Sequence, residues 1–129
     1  MSRVTHFEIH ASQPDTLIAF YTQLFGWSFE PYGPPGFYWL IRTGSKDEPG
    51  IDGGLVPRRG DAPTDGMPVS AYVCTTGVEN VHESLATALA NGGTLALAVD
   101  VIPGVGWLCY AKDPDGNIFG MIQNDANAK

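Results

Sequence analysis

Residues 5–11 alternate at the period of a β-strand, which sets Phe7 and Ile9 on one face and His6, Glu8 and His10 on the other. Three titratable side chains then line one side of one strand, each about 6.6 Å from the next at a rise of ~3.3 Å per residue. That set admits three kinds of chemistry. Long side chains at this spacing can converge on one divalent cation. The carboxylate and the imidazoles can instead line a pocket and hydrogen-bond a ligand, or take and return a proton α to a carbonyl, an effect worth about 10²–10⁴-fold per step. The third reading is polar residues satisfied at a subunit interface. Residue types alone leave all three open.

The elements that must position these groups can be read from a turn near the other end of the chain. Asp113-Pro114-Asp115-Gly116-Asn117 is turn chemistry: proline presets one backbone angle, glycine supplies the positive φ, and Asp and Asn cap their own backbone. Ile118 to Ile122 follows as an apolar strand interrupted by Gly120, where something must approach the backbone closely. The stretch from Lys46 to Val56 carries the same Lys-Asp, Gly and Gly-apolar positions 66 residues earlier, and the same offset carries Gly26 onto Gly92 and Gly54 onto Gly120. Two halves in one turn-strand register point to two copies of one module.

The first copy reads strand, helix, three strands. Ser12 is placed to cap a helix with Pro14 in its first turn; Leu17, Phe20, Tyr21 and Leu24 recur at helical spacing to Phe25, and Gly26 stops it. Residues 27–32 and 37–43 read as strands joined by Gly33-Pro34-Pro35-Gly36, and residues 51–57 as a fourth. Residues 58–68, polar and rich in Pro and Gly, read as a linker. The second copy repeats the plan over 69–123: strand 69–75, helix 78–90 stopped by Asn91-Gly92-Gly93, strand 94–102, strand 107–111 and the final turn and strand, with 124–129 as a tail.

The Asp-Pro-Asp-Gly-Asn turn, together with the His6-Phe7-Glu8-Ile9 opening and the Phe20-Tyr21 and Leu24-Phe25-Gly26-Trp27 pattern, resembles the vicinal-oxygen-chelate superfamily of glyoxalase I, bleomycin-resistance proteins, fosfomycin-resistance enzymes and extradiol dioxygenases. The resemblance spans residues 3–123. It implies an α+β fold of two tandem βαβββ modules forming an eight-stranded open half-barrel, with helices outside and the active site on the concave side. Metal-using relatives place four ligands there, one from the first and one from the last strand of each module. Carried over, those positions fall on His6, Gly54, Gly120 and either Ser70 or Tyr72. Only His6 has a ligating side chain, and catalytic zinc sites keep at least three protein ligands. No cofactor is therefore expected, with a divalent metal supported by His6 and Glu8 as the alternative.

The two glycines also remove side-chain volume, leaving Trp27, Phe37, Trp39, Tyr72 and Tyr110 to supply aromatic walls for an organic ligand. Tyr110 stands where fosfomycin-resistance enzymes place a substrate-contacting tyrosine. The Lys and Ser partners for a phosphonate are missing from residues 99–107, so fosfomycin transfer is not expected. The resemblance thus implies either a metal-free binder in the manner of bleomycin-resistance proteins, acting as a homodimer, or an enzyme. The enzyme would be a glyoxalase-like lyase or isomerase, or a dioxygenase, using His6, Glu8 and Tyr110.

Bulk properties fit this setting. A chain of 129 residues is one domain's worth and buries about two thirds of its unfolded surface. A net charge of −7, with Arg58-Arg59 as the one basic pair, argues against nucleic acid and tolerates a cationic small molecule. No apolar run reaches the ~18 residues of a membrane span, and the N-terminus lacks a signal-peptide core. Cys74 and Cys109 lie in apolar strand-like runs without Cys-x-x-Cys spacing, and are expected as buried free thiols of a cytoplasmic protein.

Overall fold

The computed structural model describes residues 2–129. In chain order the elements are β1 (Phe7–Ala11), α1 (Pro14–Phe25), β2 (Ser28–Pro31), β3 (Trp39–Arg42), β4 (Gly53–Pro57), β5 (Thr75–Gly77), α2 (Val81–Ala90), β6 (Thr94–Ile102), β7 (Gly106–Lys112) and β8 (Ile118–Asn124). The order is βαβββ twice, an α+β fold, and the strands hydrogen-bond into two four-stranded sheets. The chain divides into two compact units, the first ending at Ala62 and the second beginning at Pro63. No helix among the described residues is long and apolar enough to cross a membrane.

In the first unit the strand order is β1-β4-β3-β2, with β1 parallel to β4 and the other pairs antiparallel. Alternation along the paired strands separates two faces. Phe7, Ile9, Ile41 and Leu55 share one face, and Ile41 and Leu55 are fully buried, as are Leu17 and Phe20 of α1. Burying each of these side chains contributes about 1.5–3 kcal/mol. Helix α1 begins at Pro14 and its N-cap is Gln13, not Ser12; the Gln13 side chain accepts from Thr16 Oγ1 at 3.3 Å and makes no capping hydrogen bond to a backbone N–H. Proline already supplies the first-turn geometry and has no N–H to satisfy, which lowers the demand for a capping side chain. Gly26 ends the helix at φ 72°, its N–H donating to Thr22 O. Trp27 stacks on Tyr21 at 5.3 Å and packs against Phe25 at 4.8 Å and Phe7 at 5.9 Å, so it belongs to the helix-facing core and not to a pocket wall.

The second unit has the order β5-β8-β7-β6. Cys109, Ala111, Phe119 and Met121 form a buried face with Val81 and Ala88 of α2. Helix α2 starts three residues later than its spacing suggests. Asn80 caps it by accepting from Glu83 N, while Val78 N donates to Ile122 O and is lost to the helix. The first strand also moves: β5 is Thr75–Gly77, not 69–75, and Val69, Tyr72 and Val73 are exposed. Pairing with β8 begins where Gly120 N donates to Cys74 O and Thr75 stands opposite Gly120, and side-chain alternation upstream does not report where a ladder starts. Cys74 is consequently exposed while Cys109 is buried, and both are free. Residues 125–128 fold back: Asp125 N donates to Val105 O, Gly104 N donates to Ala128 O, and Ala128 is buried.

Burial pushes the Cys109 thiol above its ordinary pKa. Iodoacetamide at pH 8 should therefore label Cys74 and spare Cys109 in the native protein, with both labelled in denaturant; native labelling of Cys109 would contradict this packing.

Candidate functional site

The face of the first sheet opposite α1 collects the polar groups. His6, Glu8 and His10 lie on β1 or its approach, Gly54 stands opposite both Glu8 and Leu40, and alternation from Leu40 brings Tyr38 to the same face. Tyr38 is the centre of the cluster. Its hydroxyl lies 2.9 Å from His6 Nε2 and hydrogen-bonds Glu8, and His10 Nε2 sits 3.8 Å from Glu8 Oε1. A phenol has one proton. Directed to Glu8, it leaves the phenol oxygen to accept from a hydrogen on His6 Nε2. The result is a hydrogen-bonded chain from His6 through Tyr38 to Glu8.

Gly54 makes this chain possible. A Cβ at position 54 would coincide with the Tyr38 hydroxyl, so the missing side chain is replaced by a phenol oxygen and not by open volume. Gly54→Ala should displace the Tyr38 ring tip from His6 while leaving the fold intact, because the obstruction is the end of a side chain that can rotate away. Tyr38 ring and His6 imidazole NMR shifts would both move toward free values while circular dichroism stays unchanged; unmoved shifts would contradict the placement.

Burial, followed by the charge of Glu8 and the hydrogen bond to it, raises the Tyr38 pKa above 10.0. The folded protein therefore holds this proton more tightly than the unfolded chain does. The associated stability is fully present below about pH 10 and is lost as pH climbs through the higher folded value. An NMR titration should find Tyr38 ionising above the ordinary phenol range, with Glu8→Gln lowering it. A Tyr38 that titrates at or below the ordinary value would remove the Glu8 contact from the account.

The second sheet has a smaller counterpart. Gly120 stands opposite Tyr110 and Thr75, and a Cβ there would lie 2.7 Å from Thr75 Oγ1 and 3.2 Å from Tyr110 Cε1. Glu8 faces Gly54 and Thr75 faces Gly120, so Thr75 is the register equivalent of Glu8. Neither Ser70 nor Tyr72 reaches this position: both are exposed and precede β5. Trp39 pairs with Leu55, on the opposite face from Glu8. Of the residues singled out from sequence, His6, Glu8 and Gly54 come together in one sheet, and Tyr110 and Gly120 in the other.

Sequence reasoning missed Tyr38 and Thr75. For Tyr38 a signal existed, since 38, 40 and 42 alternate against the apolar Trp39 and Ile41. A depression of about 260 Å³ lies elsewhere, at the β3–β4 turn, lined by Thr43, Ser45, Lys46, Glu48 and Asp52. Its polar groups largely satisfy one another, Thr43 N donating to Asp52 and Ser45 N to Glu48.

The donors do not fit a tight divalent site. Among the described residues no group of three or more His, Cys, Asp or Glu side chains is placed to hold an ion. In the first sheet Gly54 contributes none, and His6 and Glu8 are both engaged by Tyr38.

No protein-family model matches the chain, and no curated protein matches it. Solved structures do. A glyoxalase/bleomycin resistance protein/dioxygenase family enzyme from Burkholderia phytofirmans aligns at TM-score 0.71 and 17% identity, covering 94% of this chain and 98% of its own. The genomically encoded fosfomycin resistance protein FosX of Listeria monocytogenes, solved as a mutant with Mn(II) and a dihydroxypropylphosphonic acid, aligns at TM-score 0.69 and 16% identity over 97% of this chain and 92% of its own. TioX from Micromonospora aligns at TM-score 0.67 and 14% identity over 96% and 100%. With its two βαβββ modules and these neighbours, the chain has the fold of the glyoxalase/bleomycin resistance/dioxygenase, or vicinal-oxygen-chelate, proteins.

Proposed function

We propose that this chain binds an organic small molecule on the polar face of its first module, at His6, Glu8 and Tyr38, and does so without a catalytic metal. The observation that carries the reading is Tyr38, whose hydroxyl occupies the space over Gly54 and ties up His6 at 2.9 Å. A phenol, an imidazole and a carboxylate on one half-exposed sheet face offer donors and acceptors for a polar ligand group, with aromatic surface beside them. We propose in addition that the protein is a cytoplasmic homodimer, for which sedimentation is the check.

The same hydrogen-bonded chain favours a second reading, a metal-free isomerase or lyase. With an α-hydroxycarbonyl substrate, Glu8 would take the proton from the hydroxyl-bearing carbon, and the Tyr38 hydroxyl or His6 Nε2–H would hydrogen-bond the enediolate oxygen. The substrate's hydroxyl proton would pass to the former carbonyl oxygen, and Glu8 would return its proton to the former carbonyl carbon. Turnover in that case is expected to fall about 10²–10⁴-fold in Glu8→Gln. A thermal-shift screen of small organic compounds tests the binding reading. A hit lost in Tyr38→Phe or Glu8→Gln supports it, while hits indifferent to both variants would place binding elsewhere.

A further inference from the structure

We propose that the occupant of the Tyr38 face is an organic cation, an ammonium or quaternary ammonium group on a flat apolar body, held by the Glu8 carboxylate and the rings of Tyr38 and Tyr32. This deepens the binding reading and rests on it. The rings are presented by a stiff hairpin. Pro34 and Pro35 fix two backbone angles, Gly33 and Gly36 hold φ of 73° and 84°, and Tyr32 N donates to Tyr38 O at 3.0 Å to close the loop. Tyr32 and Tyr38 stand 6.3 Å apart in a T-shaped pair at that closure, and Tyr32 is 63% exposed. An exposed ring held rigidly loses little entropy on binding a partner.

Charge selects the partner. The Glu8 side chain is 47% exposed and is faced by the Tyr38 phenol and by the imidazole of His10 at 3.8 Å. The guanidinium on the same sheet face, Arg42, is shared between Glu30 at 3.9 Å and Asp52 at 3.7 Å, and Arg58 Nη2 donates to His10 O. An anion arriving here would meet Glu8 and Glu30. A cation would meet a carboxylate and a phenol ring whose hydroxyl donates to that carboxylate, which makes the ring richer in electrons and a better cation–π partner.

The test uses three probes of one shape class on the isotope-labelled full chain: phenyltrimethylammonium, its neutral isostere tert-butylbenzene, and benzoate. The cation should shift the amide resonances of Glu8, Tyr32 and Tyr38 and bind about tenfold or more tighter than the isostere. Glu8→Gln and Tyr32→Ala should each weaken it by roughly tenfold. If tert-butylbenzene or benzoate binds as well as the cation at those resonances, the cation assignment is overturned and the binding reading stands. If none of the three moves them, both fall.

Discussion

Asp113→Ala is expected to lower the melting temperature by on the order of 10 °C, for a loss of roughly 2–4 kcal/mol. Asp113 is 2% exposed, the buried charged residue among those described. Its Oδ1 accepts from Asp115 N at 2.9 Å and Asn117 N at 3.0 Å, and its Oδ2 from Asn117 Nδ2 at 2.9 Å. Its own N–H donates to Asn117 O, so the turn that aims β8 is closed from both sides. Alanine removes the acceptor for three donors at once, and the cost comes from leaving those donors unmet. Asp113→Asn keeps one oxygen and should lose about half as much, with an amide set against Asn117 Nδ2. A melting point within 2 °C of wild type for the alanine variant, read by calorimetry at about one decimal, would show that water replaces the carboxylate freely.

Gly106→Ala should be at least as damaging, by roughly 3 kcal/mol or more. A Cβ there would coincide with the Gln123 carbonyl oxygen and lie 3.0 Å from Gln123 C and 3.1 Å from Asn124 Cα. All three obstacles are backbone. They can yield only if β7 and β8 part at the end of a ladder that runs from Gly106↔Asn124 to Lys112↔Ile118. Parting them also moves Gln123, whose Oε1 accepts from Val81 N at 3.0 Å at the start of α2. The contrast with Gly54→Ala is the informative part: there a ring tip is in the way and the site is lost with the fold kept. Equal denaturation midpoints for the Gly106→Ala and wild-type chains would mean that the ladder relaxes at that end without loss.

Much of the fold was legible because its signals are short-range. The alternation of Phe7 and Ile9 against His6, Glu8 and His10 survives in the burial of β1, and β6 spans Thr94–Ile102 as its β-branched run suggests. Gly26 stops α1 in the left-handed conformation its position implies. What was illegible depends on registers set across the sheet. Strand β5 could not be located from side-chain alternation, since Thr75↔Gly120 fixes it and the offset between the halves changes by one residue there. Tyr38 was passed over for Phe37 and Trp39 for the same reason. Alternation separates Tyr38 from Phe37 and Trp39, and the pairing of Trp39 with Leu55 shows which of the two sets shares a face with Glu8. Reading Gly54 as open space was the natural inference from a missing side chain, and a phenol two residues off its cross-strand partner fills it.

The most direct test of the metal-free reading is the metal content of the purified protein, with its melting temperature taken before and after adding Ni²⁺, Zn²⁺, Mn²⁺ or Fe²⁺. A donor set of His6 and Glu8, both held by Tyr38, predicts well under about one tenth of an ion per chain and no rise in melting temperature. A near-stoichiometric ion would contradict it. So would a rise of several degrees that disappears in His6→Ala, since an ion present at about 100 times its Kd stabilises the native state by roughly 2.7 kcal/mol.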